Sequence, residues 1–377
     1  MNGRGFLAAC ALFAAATAFS GGPLDDFPSR KFYIGAYCLA PYAQTEEHVK
    51  DIAAAGVDFI AGAPKYDRKL LDLFAKYGVG AIIRGRSPQW WGGDGSKSGR
   101  MREFCPIERF EEIAREYEHH PAVWGIDICD EPSARDFPHC AKIVEAAYRL
   151  YPNEIPYINL YPNYASTAKN TATNALSQLG TATYAEHIEE YIRKVPLKYI
   201  CYDFYVYSST IPQMYANFRV VSAAARRSGK DFWYVAQVNT HQKEVFLSEN
   251  QLRYQAYLAL AFGAKKVIWA CWTKGWWHNN VIDTKGEKTA QYEKLKKVNA
   301  ELHKLGDVRV KYDHLDTELR GDGLVVGYFA KVGETKPSAW LVVGADDPYD
   351  EGPKDHDAVV AGRKVQLKSN EAVWICE

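Results

Sequence analysis

The feature that most restricts what this chain can fold into is a count of eight. Short β-rich runs recur at 32–38, 57–63, 78–85, 122–131, 155–163, 198–207, 231–239 and 265–272. Amphipathic segments lie between them, such as "TEEHVKDIAAAG" before the second run and "DFPHCAKIVEAAYRLY" before the fifth. Thr45 is a helix-starting residue, and Gly56 and Gly263 are helix stops. Strands alternating with helices predict a parallel βα architecture, and eight units favour a closed barrel over an open doubly wound sheet. No Gly-x-Gly-x-x-Gly follows the first run, which weakens a dinucleotide-binding reading and a redox barrel using NAD(P). The segment 289–306 reads as the eighth helix, ending at Gly306. Beyond it the texture changes to short alternating strands separated by Gly, Asp and Pro. The predicted fold is α/β: a (β/α)₈ TIM barrel over 30–306, followed over 307–377 by a small antiparallel, β-sandwich-like accessory domain.

The first residues, "MNGRGFLAACALFAAATAFSGG", have a positive Arg4, an apolar run from Phe6 to Phe19 and small residues at Ser20-Gly21. This reads as a secretory signal peptide over 1–21, so the mature protein is expected to be secreted or held in the periplasm or cell envelope. "LAAC" lies inside the apolar run, too early for a lipoprotein box. No later apolar stretch is long enough to span a membrane. The 46 basic and 46 acidic residues balance, which argues against nucleic acid as a partner. Of 8 cysteines, Cys10 falls in the signal segment. The others are scattered without a Cys-x-x-Cys pair, so no zinc site is expected; one or two disulfides are possible. Those near strand ends, Cys38, Cys129, Cys201 and Cys271, read as small buried apolar residues.

Barrel sites form at the C-terminal ends of strands, where side-chain alternation selects what faces the lumen. In "AVWGIDICDEP" alternation puts Trp124, Ile126 and Ile128 under the helices. Gly125, Asp127, Cys129 and Glu131 face the lumen; Asp130 points aside unless the turn at Pro132 rotates it. The same reasoning places Asp203 and Tyr205 of the sixth run inside, Asn159, Tyr161 and Asn163 of the fifth, and Gln237 and Asn239 of the seventh. Arg84 and Arg86 of the third run are placed to neutralise Asp127. Trp90 and Trp91 follow the third run, and Trp272, Trp276 and Trp277 follow the eighth. The sum is a cup of carboxylates ringed by amides and rimmed with Trp. Glycosidic hydrolysis requires such an inventory: one carboxylic acid protonates the leaving oxygen, a second group supports the oxocarbenium-like carbon, and aromatic faces cover the sugar. Asp130, ahead of "PSAR", can instead serve as a helix cap.

"WGIDICDEP" resembles the fourth-strand motif of the large clan of (β/α)₈-barrel glycoside hydrolases that includes cellulases and β-galactosidases. There the strand ends in Asn-Glu, often followed by Pro, and the Glu is the acid/base. The resemblance extends through "YINLYPNYA", "CYDFYVY" and "GAKKVIWACWT", and it implies that role for Glu131. Two departures stand out. Asp130 occupies the place of the Asn, and Gln237 occupies that of the strand-seven Glu nucleophile. Asp203 is then the expected second carboxylate, with Asp130 in reserve. The Asp-Glu pair is also similar to that of barrel β-N-acetylhexosaminidases, where the substrate's acetamido group attacks and the Asp orients it. A third reading is a glycan-binding barrel without catalysis. The expectation is a secreted hydrolase of oligo- or polysaccharides that uses no cofactor or metal. Its expected substrate contacts are Asn159, Tyr161, Tyr205, Gln237, Trp90, Trp91, Trp272 and Trp276. Composition and motifs leave the sugar, the linkage and the oligomeric state open.

Overall fold

The structure, a computed structural model, describes residues 24, 29–63, 67–84, 90–115, 119–350 and 352–377. Residues 1–21, read above as a signal peptide, and Arg86 lie outside the described residues. All eight anticipated strands are present: β1 (Tyr33–Tyr37), β2 (Phe59–Ala63), β3 (Gly80–Ile83), β4 (Val123–Asp130), β5 (Ile155–Asn159), β6 (Tyr199–Phe204), β7 (Asp231–Gln237) and β8 (Lys266–Ala270). They form one parallel sheet in the order β5-β4-β3-β2-β1-β8-β7-β6. The remaining seam, between β5 and β6, is closed by Leu160 N–H donating to Cys201 O at 2.9 Å. The Tyr199 hydroxyl stands in for missing ladder bonds there, accepting from Ile158 N at 3.0 Å and donating to Pro156 O at 2.9 Å.

Helices α1 (Glu46–Ala54) and α2 (Arg68–Tyr77) follow the first two strands, and α3 (Met101–Phe104) and α4 (Ile107–Arg115) both follow β3. Then come α5 (Phe137–Leu150), α6 (Tyr184–Lys194), α7 (Ile211–Ser228), α8 (Glu249–Ala261) and α9 (Ala290–Arg309), one after each remaining strand. Their starts carry the expected chemistry. Thr45 accepts from His48 N, and α6 and α8 open with full capping boxes at Thr183 and Ser248, which satisfy otherwise orphaned N–H groups. Helix α9 runs through Gly306 instead of stopping there. A Cβ at that position would lie 2.1 Å from the Phe32 ring, so the glycine lets the last helix press onto the barrel wall.

The lumen is filled with rings. Tyr33, Phe59 and Trp124 pack together towards the strands' N-terminal ends, with centroids 5.4 and 6.4 Å from Trp124. Above them Tyr199 stacks on Trp233 at 4.1 Å. Trp124 thus faces inwards, not under the helices. Two register irregularities flank it, one opposite Ala81/Ile82 and one between Asp127 and Cys129. Each inserts a residue and resets the alternation. The second turns Cys129 outwards, its sulfur 3.9 Å from that of Cys140 on α5, and turns Asp130 towards the lumen. Cys129, Cys201 and Cys271 are buried as expected, Cys38 is half-buried, and the seven described cysteines are free thiols.

After α9, strands β9 (Tyr312–Leu319), β10 (Leu324–Lys331), β11 (Ala339–Gly344) and β14 (Ala372–Cys376) form an antiparallel sheet in the order β14-β11-β10-β9. Strands β12 (Asp355–Val360) and β13 (Arg363–Lys368) pair as a hairpin. One sheet face, with Val325, Phe329, Leu341 and Val343, belongs to the same apolar core as the barrel. The other, with Leu324, Val326, Trp340 and Val342, packs on Val360, Val365 and Leu367 of the hairpin. Buried Arg309 ties the layers together by donating to Gly263 O and Tyr312 O. No described helix is long and apolar enough to cross a membrane.

Candidate active site

A cavity of about 700 Å³ opens at the C-terminal ends of the barrel strands. Its floor carries Tyr37, Arg84, Asp127, Asp130, Glu131, Asn159 and Asp203. Trp90, Trp91, Lys97 and Phe104 line it from the segment after β3; Tyr164, Tyr205, Trp276 and Trp277 line it from later loops.

The floor is ordered by hydrogen bonds. Arg84 Nε donates to Asp127 Oδ2 at 2.9 Å, the pairing anticipated from the sequence. Asn159 Nδ2 donates to Asp203 Oδ1 at 2.7 Å and to Asp130 Oδ1 at 3.1 Å. One amide therefore holds both aspartates within the span of two hydrogen bonds. The amide is oriented from behind: its Oδ1 accepts from the Cys201 thiol at 3.7 Å. That sulfur is 3.4 Å from the Tyr157 hydroxyl, to which Tyr37 donates at 2.7 Å. Glu131, at the strand tip, has φ 49°, a left-handed conformation uncommon outside glycine. Its N–H donates to Asn159 O at 2.8 Å, and its Oε2 accepts from Trp91 Nε1 at 2.7 Å.

Three carboxyl groups crowded into a cavity floor cannot all ionise cheaply. Burial and then the charges of Asp203 and Asp130 push Glu131 well above the usual carboxylate range, against the pull of the Trp91 N–H. Asp203 is raised to about 7, chiefly by burial and next by Asp130, while Asn159 opposes the shift. Asp130 is raised to about 6 by burial and Asp127, with Arg84 and Asn159 opposing. The floor therefore holds protons at neutral pH beside groups that can give them up, the condition for acid–base chemistry.

Of the anticipated site residues, Glu131, Asp203, Asp130, Asn159, Tyr205, Trp90, Trp91 and Trp276 line this cavity. Three do not. Gln237 is fully buried; its side chain accepts from Tyr207 N and donates to Ser208 Oγ and Asn239 O. Burial and these loop contacts take the amide out of reach of a ligand in the cavity. Tyr161 is buried and donates to Gly93 O at 2.8 Å. Trp272 is buried against Tyr292. Asn163 is also turned to neighbouring segments: its backbone N–H donates to Asn217 Oδ1 at 2.7 Å and its Nδ2 to Gln213 O at 2.9 Å. Five lining residues were not anticipated: Tyr37, Tyr164, Lys97, Phe104 and Ile128, which alternation puts under the helices. Tyr37 was within reach of the alternation in "YIGAY"; Lys97 and Phe104 enter from a loop and a short helix that carry no such signal. Among the described residues no group of three or more His, Cys, Asp or Glu side chains is arranged to hold a metal ion.

No family model matches the chain, and no curated protein matches its sequence. Solved structures do resemble it. One is a family 39 glycoside hydrolase from the gut symbiont Bacteroides cellulosilyticus WH2, with 12% identity, 92% of this chain and 81% of that chain covered, and a TM-score of 0.52. Another is a family 5 mannosidase from Rhizomucor miehei, with 11% identity, 74% and 94% covered, and a TM-score of 0.51. At these identities the likeness is one of fold, and the fold the chain shares with them is the (β/α)₈ barrel.

Proposed function

We propose that this protein is a glycoside hydrolase acting on oligo- or polysaccharides, with Glu131 as general acid/base and Asp203 as the second carboxylate. The observation that carries the reading is the floor of the cavity: Glu131, held in its protonated form by burial and by Asp203 and Asp130, at the mouth of a barrel walled with Trp and Tyr. A protonated carboxyl donates to the departing glycosidic oxygen. As that bond breaks, positive charge grows on the sugar carbon, and ionised Asp203 offsets it by attack or by activating water. Where Asp203 attacks, the ionised Glu131 then takes the proton of the water that releases the sugar; where Asp203 activates the water, Asp203 takes that proton itself. The aromatic walls cover the apolar faces of sugar rings. The two structures of like fold come from a glycoside hydrolase and a mannosidase, which agrees with this reading. So does residue 1–21 as an export signal, which would place the enzyme outside the cytoplasm or in the envelope.

A second reading is favoured by the irregularity in β4, which turns Asp130 inwards beside Glu131. There the substrate's own 2-acetamido group attacks, Asp130 orients it and Glu131 remains the acid. The engagement of Gln237, which leaves no acid at the end of β7, agrees with this reading and with a non-catalytic glycan-binding barrel. A panel of aryl glycosides with and without 2-acetamido groups separates the three. Hydrolysis of plain glycosides, crippled by Asp203→Asn, supports the first. Activity confined to N-acetylhexosaminides, crippled by Asp130→Asn, supports the second. Saccharide binding with no hydrolysis of any member supports the third and overturns the enzyme.

A further inference from the structure

The segment Trp90–Gly92 is built onto the tip of β4 more closely than a loop requires. Asp130 N–H donates to Trp90 O at 2.9 Å, and Gly92 N–H donates to Asp130 O at 3.0 Å. Trp91 and Asp130 form a parallel bridge, so the pairing of the third and fourth strands resumes at this point, beyond the end of β3. Gly92 lies so near the next residue that a Cβ there would sit 1.9 Å from Glu131 O and 2.3 Å from the Tyr161 hydroxyl. On the opposite flank the Glu131 N–H is held by Asn159 O. The left-handed backbone of Glu131 is thus fixed from both sides, as a strained residue must be to persist.

Trp91 itself is 61% exposed, so burial of its ring does not explain where it sits. Its indole N–H meets Glu131 Oε2 at 2.7 Å. We infer that Trp91 is a positioning residue: it holds the Glu131 carboxyl in one orientation and dictates which of its oxygens carries the proton. This rests on the reading of Glu131 as the acid. The indole nitrogen can only donate, so Oε2 accepts; the carbonyl oxygen of a carboxylic acid is the stronger acceptor, which favours Oε2 as the carbonyl and the transferable proton on Oε1. When Glu131 gives up that proton, the same N–H stabilises the charge left behind. The groups whose charge bears on Glu131 are Asp203 on β6 and its neighbour Asp130 on β4. The hydroxyls of Tyr161 and Tyr164 also lie within its electrostatic reach. Trp91 opposes the two carboxylates.

Trp91→Phe tests this, because it keeps an aromatic face for a sugar and removes the N–H. The expected result is a fall in kcat of about tenfold, the scale of a hydrogen bond to a charged group, with KM nearly unchanged. The alkaline limb of kcat/KM should move to higher pH, since the ionised form has lost its donor. A sugar platform alone predicts the reverse: higher KM, unchanged kcat and an unmoved limb. A readout without substrate separates this inference from the glycosidase reading. In protein labelled with ¹³C at glutamate carboxyls, the resonance missing from Glu131→Gln is followed against pH. Its midpoint should rise in Trp91→Phe whether or not any glycoside is hydrolysed. A midpoint equal to that of the parent overturns the proposal.

Discussion

Asp203 concentrates the conflict between stability and chemistry at a single residue. In the folded protein it titrates at about 7, whereas an unfolded Asp titrates near about 3.9. Below that lower value both states hold the proton and the site costs nothing. As pH rises between the two values, the unfolded chain releases its proton and the folded one keeps it, so stability falls; above the upper value the full cost is present. Asp203→Asn keeps an acceptor for Asn159 and removes the titration. Its thermal denaturation should show a gain on the order of 4 kcal/mol at pH 8 that disappears by pH 4, together with severely impaired hydrolysis. A gain independent of pH would mean that Asp203 is not held protonated in the fold. Single residues were legible in the sequence where strand alternation is regular: Asn159 of β5, Asp203 of β6 and Tyr205 just beyond β6 all line the cavity. Gln237 shows the limit of that reading. Its place at the end of β7 was legible; the loop groups that consume its amide were not, because they converge from residues far apart in sequence.

The strands themselves were the most legible elements, since each is a continuous apolar run bounded by helical segments. What a composition pattern does not carry is an inserted residue. Nothing in "VWGIDICD" marks the two irregularities of β4, and for that reason Trp124, Cys129 and Asp130 face opposite to a strict alternation. The same limit applies to α9. Gly306 reads as a helix stop, yet it is a contact position against Phe32, and only the packing of helix on barrel distinguishes the two. Gly306→Ala should therefore destabilise the protein by about 1–3 kcal/mol, the usual cost of overpacking. Its kcat should stay at the parent value, because the clash lies away from the cavity floor. Chemical denaturation and steady-state rates check this together; a neutral effect on stability would mean the helix shifts freely.

Across the whole molecule, a β domain after the barrel was expected over 307–377; α9 runs on to Arg309, and the first strand of the C-terminal sheet begins at Tyr312. Its dependence on the barrel was not legible in the sequence. Val325, Phe329 and Leu341 lie in the barrel's own core, and Trp374 Nε1 donates to Leu305 O at 3.0 Å. Shared apolar burial of this kind makes two units unfold as one. Calorimetry should show a single transition, and a chain ending at residue 310 should be insoluble or molten; a cooperative, active barrel from that truncation would refute the coupling. That coupled scaffold holds the cavity floor in place, and the claim made for the floor is that Glu131 donates a proton to a leaving glycosidic oxygen. Its most direct test is the dependence of Glu131→Gln on the leaving group, because a dinitrophenolate departs without acid help and a sugar does not. The variant should lose about 10²–10⁴-fold in kcat on unactivated glycosides while retaining most of its rate on the dinitrophenyl glycoside of the same sugar. Equal losses on both, or none on either, would contradict the assignment of Glu131 as the acid.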